Sequence, residues 1–182
     1  MFFWFFVVSV LFEIQSNIST RIYHNNMPGL HLFTVIEMLS FSSVYFFHFL
    51  RYRFISTLIW INFAAFAIVT IYDLFVNGIW SFNAITRTYS SISLTSYALI
   101  YFYYLFVKDI ELYSWQYPMF WLGIGVLTYF GLNLFYFMLI NYLDKNAAFM
   151  GQISLFTHPT INIIANCLFA QSYRCYKTFI TK

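Results

Sequence analysis

The stretch HLFTVIEMLSFSSVYFFHFL (31–50), RYR (51–53), FISTLIWINFAAFAIVTIYDLF (54–75) decides the fold. It contains two apolar runs of about 20 residues each, the length a helix needs to cross a hydrocarbon core roughly 30 Å thick. Backbone polar groups inside a bilayer must be satisfied within their own segment, so these runs read as helices. The connection Arg51-Tyr52-Arg53 is short and basic, which makes the pair a transmembrane hairpin.

Working outward, the same criteria give further spans at residues 84–107, 118–143 and 159–176, and a shorter one at 1–18 that takes in Glu13 and Gln15. Pro28, Pro118 and Pro159 stand before or at helix starts, where the missing N–H costs little. The first segment has no basic n-region and no small-residue cleavage site, so it reads as a genuine span rather than a cleaved leader. The expectation is an all-α, polytopic bundle of about six spans forming one transmembrane domain over residues 1–182.

Composition agrees. Of the 182 residues, 62% are hydrophobic, 25% aromatic and only 8% charged, with a mean hydropathy of +0.71. A soluble domain carries about 25% charged residues. The net charge of +3 is scattered, so no basic face exists to track a phosphate backbone, and nucleic acid is excluded as a partner. Cys167 and Cys175 lie eight residues apart in one helical stretch. That spacing separates them by roughly 12 Å, too far for an internal disulfide.

Lys and Arg sort unequally between the loops. An N-terminus inside puts Arg51, Arg53, Lys108, Arg174, Lys177 and Lys182 on the inner side, and Arg21, Arg87 and Lys145 outside. That asymmetry predicts a cytoplasmic (inner) membrane protein with both termini in the cytoplasm. It also gathers polar groups in the outer half of the membrane. Glu13 closes the first helix, His31 and Glu37 lie in the outer part of the second, and Asp73 ends the third. Asn83 and Arg87 open the fourth, Asn141 closes the fifth, and His158 and Asn162 open the sixth.

Helical spacing orders these residues into stripes. His31, Thr34, Glu37, Tyr45 and His48 share one broad face of the second helix. Asn83, Arg87, Ser90, Tyr97 and Tyr101 align on the fourth; His158, Asn162 and Asn166 follow one another at i, i+4 on the sixth. A charge facing lipid costs about 2.5 to 3.5 kcal/mol on insertion scales, so these stripes face the bundle interior. An interior role as helix glue is the plain alternative, with Glu37 paired to Arg87 and Asn62, Asn133 and Asn166 supplying interhelical hydrogen bonds. Ser90, Ser91, Ser93 and Ser96, and Gly123, Gly125 and Gly131, mark close helix packing. The aromatic run Tyr101–Phe106 reads as core and interface belt, and Trp115 to Trp121 as an interfacial anchor.

Several strings resemble those of a family of uncharacterised bacterial multi-pass membrane proteins with six to seven helices. They are Asn25-Asn26-Met27-Pro28-Gly29-Leu30-His31-Leu32-Phe33-Thr34-Val35-Ile36-Glu37, then Pro118-Met119-Phe120-Trp121 leading to Leu127-Thr128-Tyr129-Phe130-Gly131, and Asn162-Ile163-Ile164-Ala165-Asn166. The resemblance covers Glu13 to about Tyr176. It implies a seven-helix plan whose first helix is missing here. It carries no activity, but places emphasis on Asn26, His31, Glu37, Trp121, His158 and Asn162.

Three functions fit. The first is a small-molecule or lipid-binding sensor module whose outward polar pocket draws on Glu13, Asn26, His31, Thr34, Glu37, Asp73, Asn83, Arg87, His158 and Asn162, with Arg87 meeting an anionic group. The second is a metal-dependent membrane hydrolase with a divalent metal on His31, Glu37 and His158 and Glu13 as general base. No tight motif such as H-E-x-x-H supports it. The third is a small transporter, disfavoured because the chain has neither a repeat nor mid-span Gly/Pro breaks of the inverted-repeat kind. Membrane lipid is the expected partner in each case.

Overall fold

A computed structural model describes residues 2–107, 114–134 and 147–180, with side chains described for 7–107, 115–134 and 159–177. The described residues are helical apart from short connections. The elements are α1 (Phe2–Tyr23), α2 (Met27–His48), α3 (Arg53–Asn77), α4 (Ala84–Val107), a 3-10 turn at Ser114–Gln116, α5 (Pro118–Val126) and α6 (Ala147–Ile180). A π turn at Leu127–Gly131 carries α5 onward, so the apolar helix continues to Leu134.

Among the described residues, α2, α3 and α4 are long and apolar enough to cross a membrane. The exposure pattern of α3 shows what it faces. It buries only Ile55, Ile59, Phe66 and Asp73, while Phe54, Trp60, Ile61, Ile68 and Phe75 are 60 to 86% exposed. A surface that apolar has no place in water. The protein is a helical membrane protein, and this face belongs to lipid.

The helix ends have local causes. His24 takes a positive φ of 54° and ends α1, and the Asn25 carboxamide oxygen accepts the Met27 N–H 2.8 Å away to start α2. Pro28 and Pro118 sit in the first turns of α2 and α5, as the sequence predicts. Gly78, at φ 77°, ends α3 where a side chain would be strained.

Two helices depart from expectation. α1 runs to Tyr23 rather than stopping at Ile18, because nothing between them breaks a helix until the left-handed His24. α6 starts at Ala147 and carries Pro159 inside it, not at its first turn. An internal proline forfeits one backbone bond, which a membrane helix tolerates when its surroundings re-satisfy the freed carbonyl. At 34 residues α6 is roughly 50 Å long. Lys108, expected to end the fourth span, and the expected far end of the fifth, with Asn141 and then Lys145, lie outside the described residues.

The chain divides into two compact units, Met1–Ser90 and Ser91–Lys182. In the first, α1 packs on α2 through Phe12 and Phe33, 5.5 Å apart, and through Gly29, where any side chain would strike Gln15. α2 meets α3 through an edge-on Phe46–Trp60 pair at 5.8 Å, and α3 meets the start of α4 through Phe66 and Tyr89 at 6.3 Å. In the second unit α5 lies against α6. A Cβ on Gly125 would fall 2.6 Å from the Phe169 ring, and the Ser172 hydroxyl donates to the Pro118 carbonyl at 2.7 Å. Gly123 lets the Phe102 ring of α4 come within 3.0 Å of where its Cβ would stand. These two glycines act as the sequence predicts; among the described residues, nothing packs on Gly131. Both cysteines are free, and Cys167 is exposed.

Candidate functional site

The buried polar groups of the first unit converge where the first turns of α2 meet the end of α3 and the start of α4. α2 turns His31, Thr34 and Glu37 inward together with Met38, Phe41, Ser42 and Tyr45, since these positions recur at three- and four-residue intervals. His48 falls off this face and is exposed, contrary to the expected stripe. α4 keeps its stripe, with Asn83, Arg87, Ser90, Tyr97 and Tyr101 all buried.

Thr34 is the hub. Its hydroxyl donates to the Leu30 carbonyl at 2.9 Å and accepts from Asn83 Nδ2 at 2.8 Å and Arg87 Nε at 3.3 Å. One proton and two lone pairs are thereby all used. Because that proton is directed at Leu30, the Asn83 group facing Thr34 must be the donor, which fixes the carboxamide orientation. A second bond runs alongside: His31 Nε2 lies 3.1 Å from the Ser81 carbonyl, so Nε2 carries the proton there. His31 and Thr34 are one turn apart on α2, and Ser81 and Asn83 are two residues apart in the connection, so the two bonds form a short ladder.

Asp73, fully buried on α3, caps α4 from a different helix. Its Oδ2 accepts from the Thr86 backbone N–H at 3.0 Å and the Thr86 hydroxyl at 2.7 Å, and its Oδ1 accepts from Asn77 Nδ2 at 2.7 Å. A carboxylate at a helix N-terminus is favoured by the orphan N–H groups and the positive end of the dipole. The Asn83 carbonyl accepts the first helical bond, from the Arg87 N–H at 2.9 Å, so Asn83 occupies the cap position itself. An Asn there ordinarily bonds the helix's own third N–H. Here Asp73 holds that N–H, and the Asn83 carboxamide turns into the cluster.

The ladder leaves two acceptors over. His31 Nδ1 and Asn83 Oδ1 are buried with no hydrogen-bond partner, on residues 6% and 0% exposed. A buried polar atom without a partner costs about 1 to 3 kcal/mol, and native proteins retain few of them without a reason.

Of the ten residues expected to line a pocket, His31, Thr34, Asn83 and Arg87 are joined directly by this network. Glu37 is buried one turn further along α2, at 3% exposure, and Asp73 is engaged with the start of α4. Asn26 is half-buried and donates to Ser16 at 2.6 Å, tying α2 to α1. Glu13 is exposed on α1, away from the buried set. Asn162 is half-buried in the second unit; the His158 side chain lies outside the described residues, and Asn166 is exposed rather than interior. Buried α6 positions are Ile161, Ala165, Phe169 and Ser172.

Sequence reasoning passed over Ser81, Asn77 and Thr86. Thr86 carries a signal, standing three residues after Asn83 at the position a cap must satisfy. The Ser81 contribution is a backbone carbonyl, which no side-chain pattern reveals. Among the described residues, no three His, Cys, Asp or Glu side chains converge to hold a metal ion. Trp121, marked by the resemblance, donates its indole N–H to the Trp115 carbonyl at 2.6 Å in the second unit. No family profile, curated protein or solved structure matches the chain.

Proposed function

We propose that this protein is a membrane-embedded binding module, a sensor for a small molecule or lipid, whose site is the polar junction of α2 and α4. The observation that supports this reading is the pair of orphaned buried acceptors, His31 Nδ1 and Asn83 Oδ1, in a network otherwise closed around Thr34. Asp73 closes its own hydrogen bonds with Thr86 and Asn77, whereas the junction beside it keeps two buried groups open. The six-to-three division of Lys and Arg supports a cytoplasmic membrane protein with both termini in the cytoplasm, and with that orientation the junction lies in the outer half of the membrane.

Purification in mild detergent, followed by extraction and mass spectrometry, tests it. A co-purifying small molecule or lipid near one per chain is expected, reduced at least tenfold in Glu37→Gln and in Arg87→Ala while both variants keep a cooperative thermal transition. Unchanged ligand content in both variants places the site elsewhere. Elemental mass spectrometry on the same sample separates the metal reading, since near-stoichiometric metal lost in His31→Ala replaces the present one.

A further inference from the structure

Resting on that binding reading, we propose that the α2–α4 junction recognises a primary ammonium group, through His31 Nδ1 and Asn83 Oδ1. The chemistry follows from what the junction lacks. Asn83 Oδ1 is an acceptor, and so is His31 Nδ1 when the single ring proton sits on Nε2 facing Ser81, so the missing partner is a donor. At these two atoms a carboxylate or phosphate would set acceptor against acceptor, and the Nε of Arg87 already donates to Thr34 at 3.3 Å.

Neither orphan can be relieved by local rearrangement. Turning the Asn83 carboxamide over would place its oxygen against Thr34, whose proton is directed at the Leu30 carbonyl. Turning the His31 ring would remove the donor that the Ser81 carbonyl accepts. A hydroxyl brings one proton, enough for one of the two acceptors. An ammonium nitrogen brings three N–H groups on one atom and can serve both. The α4 N-terminus and the Arg87 guanidinium both disfavour a cation here, and the buried Asp73 and Glu37 carboxylates of the same unit offset them.

A primary ammonium reaches the outer half of a membrane either as an ethanolamine lipid headgroup or as a free amine. The number of N–H groups discriminates the proposal without altering the protein. Native mass spectrometry of the detergent-solubilised chain is run with dioleoyl phosphatidylethanolamine, its N-methyl and N,N-dimethyl derivatives, and dioleoyl phosphatidylcholine. These carry three, two, one and no N–H groups at the same charge. Two acceptors require two donors, so the first two are expected to bind alike and the last two about tenfold more weakly, the scale of one to two hydrogen bonds. In His31→Phe and Asn83→Ala, each verified by its thermal transition, the step flattens toward equal binding.

Ethanolamine and choline, added to lipid-free micelles, separate the two sources. A thermal shift with ethanolamine but not choline identifies a free amine as sufficient, whereas a step confined to the lipid series identifies the headgroup. Equal affinity across the series overturns the proposal. So does absence of binding by both lipid and amine, as when a bridging water alone fills the junction. In that last outcome, a different co-purified ligand leaves the binding-module reading standing, and no ligand of any kind removes both.

Discussion

At the residue scale the most consequential side chain is Asp73. Both of its oxygens accept, one from Thr86 and one from Asn77, and it is fully buried. An asparagine there can keep its oxygen on Thr86 and donate to Asn77 once the exposed Asn77 carboxamide flips, but it removes the negative charge at the start of α4. Asp73→Asn is therefore expected to destabilise the protein by about 1 kcal/mol, the scale of a charge at a helix N-terminus, despite its nearly identical shape. Thermal or denaturant melting in detergent measures this, and a melting point equal to wild type refutes the cap assignment. Sequence spacing picked out Thr34 and Asn83 because each sits on an inward stripe, and Asp73 because it is a charge at the end of an apolar span. It could not assign their roles, because spacing fixes which face a residue occupies and not which atom it bonds. Thr34 reads as one polar residue among several and is the hub; Asn83 reads as a polar residue opening the fourth helix, and its side chain has ceded capping to another helix.

At the element scale, most boundaries were legible because they rest on local chemistry. The Arg51-Tyr52-Arg53 connection and the prolines at 28 and 118 fall where the sequence puts them. Pro159 does not, because its position in a helix depends on what precedes it, and residues 147–158 continue the helix upstream. His48 and Asn166 were expected inside and are exposed, since both stand at or beyond the edge of a stripe whose width only packing defines. The glycines of α5 offer a direct contrast. Gly125→Ala places a methyl against Phe169, and the α5–α6 pair is expected to lose about 1 to 3 kcal/mol; Gly131→Ala, with nothing within 4 Å, is expected to be near neutral. Melting both variants in parallel checks the packing, and equal effects would contradict it.

At the scale of the whole molecule, the all-helical membrane class was legible from composition alone, whereas the division into two compact units has no counterpart in the sequence pattern. α3, at 25 residues, is roughly 37 Å long, enough to cross a bilayer and set its two flanking connections on opposite sides. In a Cys167→Ser, Cys175→Ser background, Ile79→Cys is expected to react with an impermeant maleimide on intact cells, and Arg51→Cys only after permeabilisation. The reverse pattern inverts the topology. The clamp between Asp73 and Thr86 also bears on how the chain is made. Until the residues after 83 have left the ribosome, Asp73 has only the Asn77 carboxamide, one turn along its own helix, as a partner near the end of an otherwise greasy segment. An α3 that entered lipid ahead of α4 would carry a half-satisfied carboxylate, a cost that favours the two helices entering the bilayer together.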